Sequence, residues 1–270
     1  MPEPLILAVD IGNHRTKIAP VRVWQGESLT DSVELGPVHL LDRQDSLESL
    51  RRWCGSRSAR WLISSVHADR ALALEQWITA RETGDTMLRL SAADVPLAVE
   101  VEAPHRVGMD RLCAALGGYA CAQGRPVVVV DAGSAITVDA VSAQGAFLGG
   151  TIFLGLHGAL QHLARVGSAL PQLDLAGTSL EITPLGKSTD QAILSGVVLA
   201  AAGGVNELVA RIQATGREIA QVYVTGGDAA VLEPWFRFDH VRIDDLVLRG
   251  AVVAGRAWLA AQATVLEPDF

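Results

Sequence analysis

The feature that most constrains the fold is a pattern that occurs twice along the chain. Each copy is an apolar run, then Asp-x-Gly-x-x-x-Thr, then a second strand-like run: LILAVDIGNHRTKIAPV contains Asp10, and VVVVDAGSAITVDAV contains Asp131. A continuous apolar run predicts a strand that is buried on both faces of a sheet. A repeat at such a long offset indicates two similar halves and not a solenoid. We therefore expect an α/β protein whose two half-domains, residues 1–124 and 125–270, face one cleft.

Composition and charge exclude several classes of protein. The 270-residue chain is 49% hydrophobic, and its formal net charge of −8 disfavours contact with nucleic acid or an anionic membrane surface. Its N-terminus lacks the basic segment of a signal peptide. Its longest uncharged apolar run, residues 191–206, is shorter than the ~20 residues that span a bilayer. These features predict a soluble, cytoplasmic protein that binds neither nucleic acid nor a membrane.

Periodicity predicts the order of the remaining elements. Residues 25–46 are polar and rich in turn formers. We expect a helix at Asp110–Ala122, a buried helix rich in alanine and glycine at Thr189–Ala214, and a final helix at Leu248–Ala263.

A strand that ends in Asp-x-Gly can build a phosphate site. Glycine lets a ligand approach the backbone, the exposed N–H groups bind phosphate oxygens, and the aspartate can hold magnesium. Lys17 or Arg15 could offset the phosphate charge. One such turn is as typical of a plain hairpin, but the second copy and a third glycine-rich turn at Val224–Asp228 favour a nucleotide site. The chain has neither a Walker A motif nor a G-x-G-x-x-G after a strand, which disfavours P-loop and Rossmann folds.

A further acidic motif, Gly108–Arg111, begins the predicted helix. Aspartate at a helix start commonly stabilises the exposed N–H groups. It could equally accept the proton of a substrate hydroxyl, while Arg111 binds an anionic group. The motif chemistry alone leaves these two interpretations even.

Five motifs occur in a fixed order along the chain: DIGN at Asp10–Asn13, VGMDR at Val107–Arg111, DAGSAITVD at Asp131–Asp139, GGTI at Gly149–Ile152 and GKSTDQAILSG at Gly186–Gly196. In this ordered set the chain resembles type III pantothenate kinases, from residue 5 to about residue 255. The resemblance implies two ribonuclease-H-like halves of the actin-like ATPase superfamily. It also implies phosphorylation of pantothenate by ATP, the first step of coenzyme A biosynthesis, by a homodimer whose acceptor site lies near the subunit interface.

The same resemblance implies roles for individual residues. Asp110 would be the general base toward the primary hydroxyl, with Arg111 on the carboxylate side of pantothenate. Asp10 would serve Mg²⁺ and Asp131 a monovalent cation, K⁺ or NH₄⁺. The other implied residues are Ile11, Gly12, Asn13, His14, Arg15, Thr16, Lys17, Gly133 and Ser134 for ATP, and Gly108, Met109 and Thr189 for pantothenate.

Three positions depart from the family pattern. His14 replaces a threonine or serine, Val101 stands where a tyrosine usually contributes to the acceptor pocket, and Leu154 replaces a proline. These changes leave two alternatives open. One is a kinase of the same superfamily for another small hydroxyl compound, and the other is a regulatory or binding relative with weak activity.

Three acidic residues favour the enzyme over the regulatory relative. Asp10, Asp110 and Asp131 are all present. Their mutual repulsion costs stability, so a protein that had lost catalysis would have no reason to retain them.

Overall fold

The computed structural model describes residues 4–24, 33–167, 169–175, 181–215 and 221–264, and its contacts divide the chain into two units. The first unit is Met1–Arg125, Ala143–Phe147 and Asp245–Phe270, and the second is Pro126–Ser142 and Leu148–Asp244. The division after Arg125 lies beside the boundary expected from the sequence. The last segment differs from that expectation, because its helices pack in the first unit.

The first unit is built on a mixed sheet in the order β3-β2-β1-β5-β6, with β4 also paired to β2. Its central strand β1 is antiparallel to β2 and parallel to β5. The strands are β1 (Leu5–Ile11), β2 (Arg15–Trp24), β3 (Val33–Leu35), β4 (His39–Asp42), β5 (Ala59–Ser65), β6 (Thr86–Arg89) and a short β7 (Ala98–Val99).

Helices cover this sheet because its strands carry apolar side chains on both faces. One face, which includes Leu7, Val9 and Ile63, forms a core with Leu74 and Ile78 of α2. The helices of this unit are α1 (Glu48–Cys54), α2 (Ala68–Thr79), α3 (Met109–Cys121), α7 (Leu246–Ala254) and α8 (Arg256–Thr264).

The second unit repeats the plan with a sheet in the order β12-β11-β8-β9-β10. The first residues of β10, Ala146 and Phe147, belong to the first unit and pair with β7. The elements are β8 (Val127–Ala132), β9 (Ala135–Val141), β10 (Ala146–Leu154), α4 (Leu156–Val166), α5 (Thr189–Gln213), β11 (Gln221–Thr225), α6 (Ala229–Leu232) and β12 (Val241–Arg242).

The bounds of helix α5, Thr189–Gln213, agree with the predicted range Thr189–Ala214. The helix is longer than the uncharged apolar run 191–206 that it contains. It is long and apolar enough to cross a membrane by length and composition, and 39% of its most apolar stretch is buried inside the structure. Its buried side chains, among them Leu194, Val198 and Val205, join the core formed with β8 and β9. The buried helix expected from the sequence is therefore buried along one side of α5.

Two elements differ from the sequence expectation. Within the polar stretch 25–46, whose residues 25–32 lie outside the described part, the strands β3 and β4 pair with β2. The single final helix is two helices, because the chain breaks at Gly255. A side chain there would overlap Leu62 of β5, so the glycine lets the chain pass close to the sheet.

Candidate active site

The first Asp-x-Gly turn joins β1 to β2 as a tight hairpin. The N–H of Gly12 donates to the carbonyl of Arg15 at 3.0 Å. Asp10 lies opposite Lys17 in the register of the two strands, and Ile11 lies opposite Thr16. Opposite residues of an antiparallel pair project from the same face, so the Asp10 carboxylate and the Lys17 side chain share one face.

The tip of this hairpin is exposed and places its basic residues differently. Asn13, His14 and Arg15 are all exposed. The Arg15 Nε lies 2.8 Å from Oδ1 of Asp42 on β4. Arg15 and Lys17 were both considered as the cation for a phosphate. Arg15 is paired with a carboxylate at the solvent surface, whereas Lys17 lies two residues further along β2 and is less exposed.

A third strand extends the row of polar side chains. Ser64 of β5 lies beside Asp10 in the parallel register, so Lys17, Asp10 and Ser64 lie side by side across three strands. Ser64 is fully buried. The sequence analysis assigned Ser64 no role, because only the pairing of β1 with β5 brings it to Asp10.

Helix α3 brings Asp110 to the same face. Burial chiefly raises the pKa of the Cys113 thiol, to about 12, and the charges of Asp10 and Asp110 act in the same direction while the Ser64 hydroxyl opposes them. Both carboxylates therefore act on the same buried thiol, and Gly108 at the start of α3 packs against Val66, just beyond the end of β5. The motifs alone could not establish that these two parts of the chain lie together.

The start of α3 fixes the orientation of Asp110. Its Oδ1 accepts a hydrogen bond of 2.8 Å from the N–H of Arg111. A side chain at Gly108 would overlap that same oxygen. The carboxylate thus both stabilises the helix start and occupies the space that glycine leaves, so the two interpretations of the motif are compatible.

Arg111 is positioned by an aromatic ring. Its guanidinium carbon lies 5.6 Å from the ring centroid of Phe147, which is fully buried. A cation over an aromatic face is attracted by the ring's quadrupole. Phe147 comes from the short segment that returns to the first unit, and no local signal in the sequence marks it.

Lys17 has a partner that the sequence analysis did not identify. Its Nζ lies 3.1 Å from Oδ1 of Asp245, and both side chains are mostly buried, at 31% and 21% exposed. Asp245 immediately precedes α7. The only sequence signal was the position of an aspartate before a helix, which predicts a cap.

In the second unit, the second and third glycine-rich turns lie together. The N–H of Gly133 donates to the carbonyl of Ala135, and the N–H of Asp228 donates to the carbonyl of Ala132 at 2.9 Å. Gly226 has a φ of +99° and lies so close to Ala132 that a side chain would overlap its backbone. These turns form one continuous backbone surface at the ends of β8 and β11.

A third segment closes onto the second turn. Gly155, just before α4, donates its N–H to the carbonyl of Ser134, and a side chain at Gly155 would overlap the carbonyl of Gly133. Ser134 is exposed, and Asp131 is half-buried beside it. The structure thus brings Asp131, Gly133 and Ser134 together in the second unit.

The two repeats differ by one residue in their turns. Thr137 lies opposite Asp131, whereas Lys17 and not Thr16 lies opposite Asp10. The equivalence of the threonines suggested by the sequence repeat is therefore wrong in the structure. The reason is that the first turn spans residues 12–15 and the second only residues 133–135, which shifts the returning strand by one residue.

A histidine and two carboxylates form a small cluster beside the third turn. His157 Nδ1 lies 3.4 Å from Oδ2 of Asp228, and its Nε2 lies 3.7 Å from Oδ1 of Asp174. Burial raises the pKa of Asp228, and His157 opposes that shift. Among the described residues, no group of three or more His, Cys, Asp or Glu could hold a metal ion by itself.

Thr189 lies in the second unit on the wall of an apolar groove. The groove has a volume of about 1120 Å³ and is lined mainly by apolar side chains of β10, α4 and α5. Leu154, which stands where the family has proline, is 53% exposed on this wall. Gly108–Arg111 belong to the first unit, so contacts within a single unit do not bring Thr189 to the rest of the predicted acceptor site.

Comparisons with known proteins point to one family. The family model for type III pantothenate kinase matches residues 6–211. The chain is 31% identical to the type III pantothenate kinase of Herminiimonas arsenicoxydans over 252 residues, which cover 91% of this chain and 95% of that protein. It is 33% identical to that of Thermus thermophilus over 257 residues, 91% of this chain and 96% of that protein.

A solved structure shows the same fold at much lower identity. It is the activator of the 2-hydroxyisocaproyl-CoA dehydratase from Clostridium difficile with bound ADPNP, with a TM-score of 0.51 and 12% identity over 98% of this chain and 99% of that one. This likeness and the two sheets confirm the predicted fold class, an α/β protein of the actin-like ATPase type. The sequence relatives and the family model confirm the resemblance, and the chain belongs to the type III pantothenate kinase family.

Proposed function

We propose that this chain transfers the γ-phosphoryl group of ATP to the primary hydroxyl of pantothenate, with Asp110 as the general base. The observation that carries this assignment is that the segment before Asp110 lies beside Asp10: Gly108 packs against Val66, whose N–H donates to the carbonyl of Ile11, the residue after Asp10. Phosphoryl transfer needs positioning, charge neutralisation and a base near the acceptor, and little covalent chemistry from the protein. The row of Lys17, Asp10 and Ser64 beside Asp110 offers these groups.

The first hairpin would bind the phosphates. Lys17 supplies a cation on the face of Asp10, and the turn at Gly12 allows close approach of a phosphate to the backbone. The Asp10 carboxylate suits Mg²⁺, a hard cation that proteins commonly hold through one or two carboxylates together with substrate phosphates. Magnesium bound there would neutralise charge on the transferred group.

Asp110 and Arg111 would act on the acceptor. The Asp110 carboxylate is held in one orientation, because it accepts a hydrogen bond from the N–H of Arg111 and occupies the space that Gly108 leaves. Arg111, stacked on Phe147, would pair with the carboxylate of pantothenate. Thr189 would also contact the acceptor, as the family resemblance implies.

In the second unit we assign Gly133 and Ser134 to ATP and Asp131 to a monovalent cation, K⁺ or NH₄⁺. The turns at Gly133, Gly155 and Gly226 support this assignment, because their close packing brings the backbone at the ends of β8 and β11 together next to Asp131 and the exposed Ser134.

The protein is further proposed to be a cytoplasmic homodimer that uses the groove of α4 and α5 as its interface. The groove is apolar, and Ile152 and Leu154 beside it are more than half exposed. Apolar grooves with exposed apolar residues beside them are typical of interaction sites. A second copy of the chain is the occupant that fits, because Thr189 lies on the groove wall and the family's acceptor site lies near the subunit interface.

The experiment is ADP release by the purified protein with ATP and Mg²⁺, with and without pantothenate, in potassium and in sodium buffers. We expect release that depends on pantothenate and is faster in potassium. Equal rates in the two buffers would contradict the role of Asp131. ATP binding without pantothenate-dependent release would contradict the assignment of the acceptor and favour another small hydroxyl compound.

The general base is tested by Asp110→Asn. We expect turnover to fall by a factor of roughly 10² or more with MgATP binding unchanged. Asp69→Asn is the matched control, because Asp69 holds the same position in the first turn of α2. That control loses the same stabilising charge at a helix start and should keep full activity. An active Asp110→Asn protein would exclude Asp110 as the base.

A further inference from the structure

Asp245 adopts a backbone conformation that is uncommon for residues other than glycine. Its φ of 62° and ψ of 34° place it in the left-handed region. Among the described residues other than glycine, only Glu82 and Gln123 share a positive φ. Strained backbone of this kind persists only where the surroundings determine it, and it is concentrated at functional sites.

The neighbouring contacts show what holds this conformation. The carbonyl of Leu246, the next residue, lies so close to Gly117 of α3 that a side chain on that glycine would overlap it. One turn further, Gly250 contacts the backbone of Cys113 in the same way. Helix α7 is therefore fixed against α3 by backbone contacts, and Asp245 is the residue that leads the chain into this packed helix.

The Asp245 side chain does not act as an ordinary helix cap. An aspartate before a helix usually accepts a hydrogen bond from the helix's own N–H groups. In α7, all of which is described, the Asp245 side chain makes no such cap. Its Oδ1 instead lies 3.1 Å from the Nζ of Lys17. The conformation thus directs the carboxylate away from its helix and toward β2.

The location of Lys17 gives this contact its significance. Lys17 stands opposite Asp10 on the same face of the sheet, so its flexible side chain could be drawn toward that carboxylate. A second carboxylate on a rigid helix restricts where the ammonium lies. Side chains that are held in place before the ligand arrives bind it with less loss of conformational freedom.

We propose that Asp245 is a positioning residue that holds the Lys17 ammonium ready for the phosphates of ATP. The inference rests on the phosphate-binding role proposed for Lys17 and adds a residue from the far end of the chain to it. Asp245 itself is not assigned a contact with the nucleotide.

The test is calorimetric titration of the full-length protein with MgATP, in the absence of pantothenate. We expect Asp245→Asn to weaken MgATP binding about tenfold, since asparagine tolerates the left-handed conformation and removes only the charge. Lys17→Met should weaken binding at least as much. In the double variant, the asparagine should cause no additional loss, because its effect passes through Lys17.

Two further variants separate positioning from a structural role. Asp245→Gly removes the carboxylate and relieves the backbone conformation, so its melting temperature should equal or exceed that of the wild type while MgATP binding weakens. Glu82→Gln is the matched control, because Glu82 is an exposed acidic residue with a φ of 53°. Its MgATP affinity should remain that of the wild type.

The outcomes are distinguishable. Wild-type affinity in Asp245→Asn, with Lys17→Met impaired, would overturn the role of Asp245 and leave the role of Lys17 intact. Equal losses from Asp245→Asn in the wild-type and Lys17→Met backgrounds would also overturn it, because Asp245 would then act independently. Unchanged affinity in Lys17→Met would overturn the phosphate role of Lys17 and the inference with it.

Discussion

The glycine at position 108 decides where the Asp110 carboxylate can lie. Its φ of −60° and ψ of 138° are accessible to every residue type. The requirement for glycine therefore does not come from the backbone. It comes from the Asp110 oxygen, which a side chain at position 108 would overlap.

We predict that Gly108→Ala folds normally and loses activity. The obstructing atom is the end of a side chain, so the carboxylate can move aside at little cost to the free energy of unfolding. If Asp110 is the base, as proposed, its displacement by about 1 Å can lower turnover by one to two orders of magnitude. Steady-state kinetics, with the melting temperature and MgATP affinity as controls, would check this, and a fully active variant would contradict it.

Single residues also show where inference from the sequence ends. Asp10, Lys17 and Asp110 could be selected because each lies in a short motif with a chemical meaning. Ser64 and Asp245 could not, because their relation to the site depends on the pairing of β1 with β5 and on the packing of α7. A local pattern can select a candidate for a reactive group, whereas the neighbours of that group are determined by tertiary structure.

At the scale of elements, the strands were predictable from the continuous apolar runs that buried sheets require, as the four consecutive valines of β8 show. The short strands β3 and β4 were not, because each is stabilised mainly by pairing with β2. The register of the first hairpin could not be predicted from the motif either. One additional residue in the turn changes which side chain lies opposite Asp10.

The contact between α3 and α7 yields a prediction at the same scale. A side chain at Gly250 would overlap the carbonyl of Cys113. Because the obstruction is backbone, Gly250→Ala must separate the helices, and we expect a loss of about 2 kcal/mol in the free energy of unfolding. Urea denaturation followed by circular dichroism measures it.

Helix α5 supplies the matched control for that substitution. Gly203 is exposed there, and a side chain would meet no atom within 4 Å. Gly203→Ala should therefore stabilise the protein by about 0.5–1 kcal/mol through helix propensity alone. If both variants changed stability in the same direction, close packing would not be the reason for glycine at position 250.

At the scale of the whole molecule, the sequence repeat correctly indicated two sheets but gave no sign that the chain returns to the first unit at its end. Residues 245–264 lie in the second half of the sequence and pack with the first unit. By composition alone, the apolar helices α7 and α8 could pack against the sheet of either unit. The glycines of α3 and α7 decide between the two, because they allow these helices to pack backbone to backbone.

The proposed dimer gives the last prediction. Leu154 is 53% exposed on the wall of the groove, so Leu154→Glu should not destabilise an isolated chain. In a dimer that buries the groove, the new charge would lose its hydration without a partner, a cost of several kcal/mol. Light scattering should then detect a monomer. Leu72→Glu makes the same change at 52% exposure on α2 and should leave the dimer intact. A Leu154→Glu protein that stays dimeric would place the interface elsewhere, since an unpaired buried charge is incompatible with a tight apolar contact.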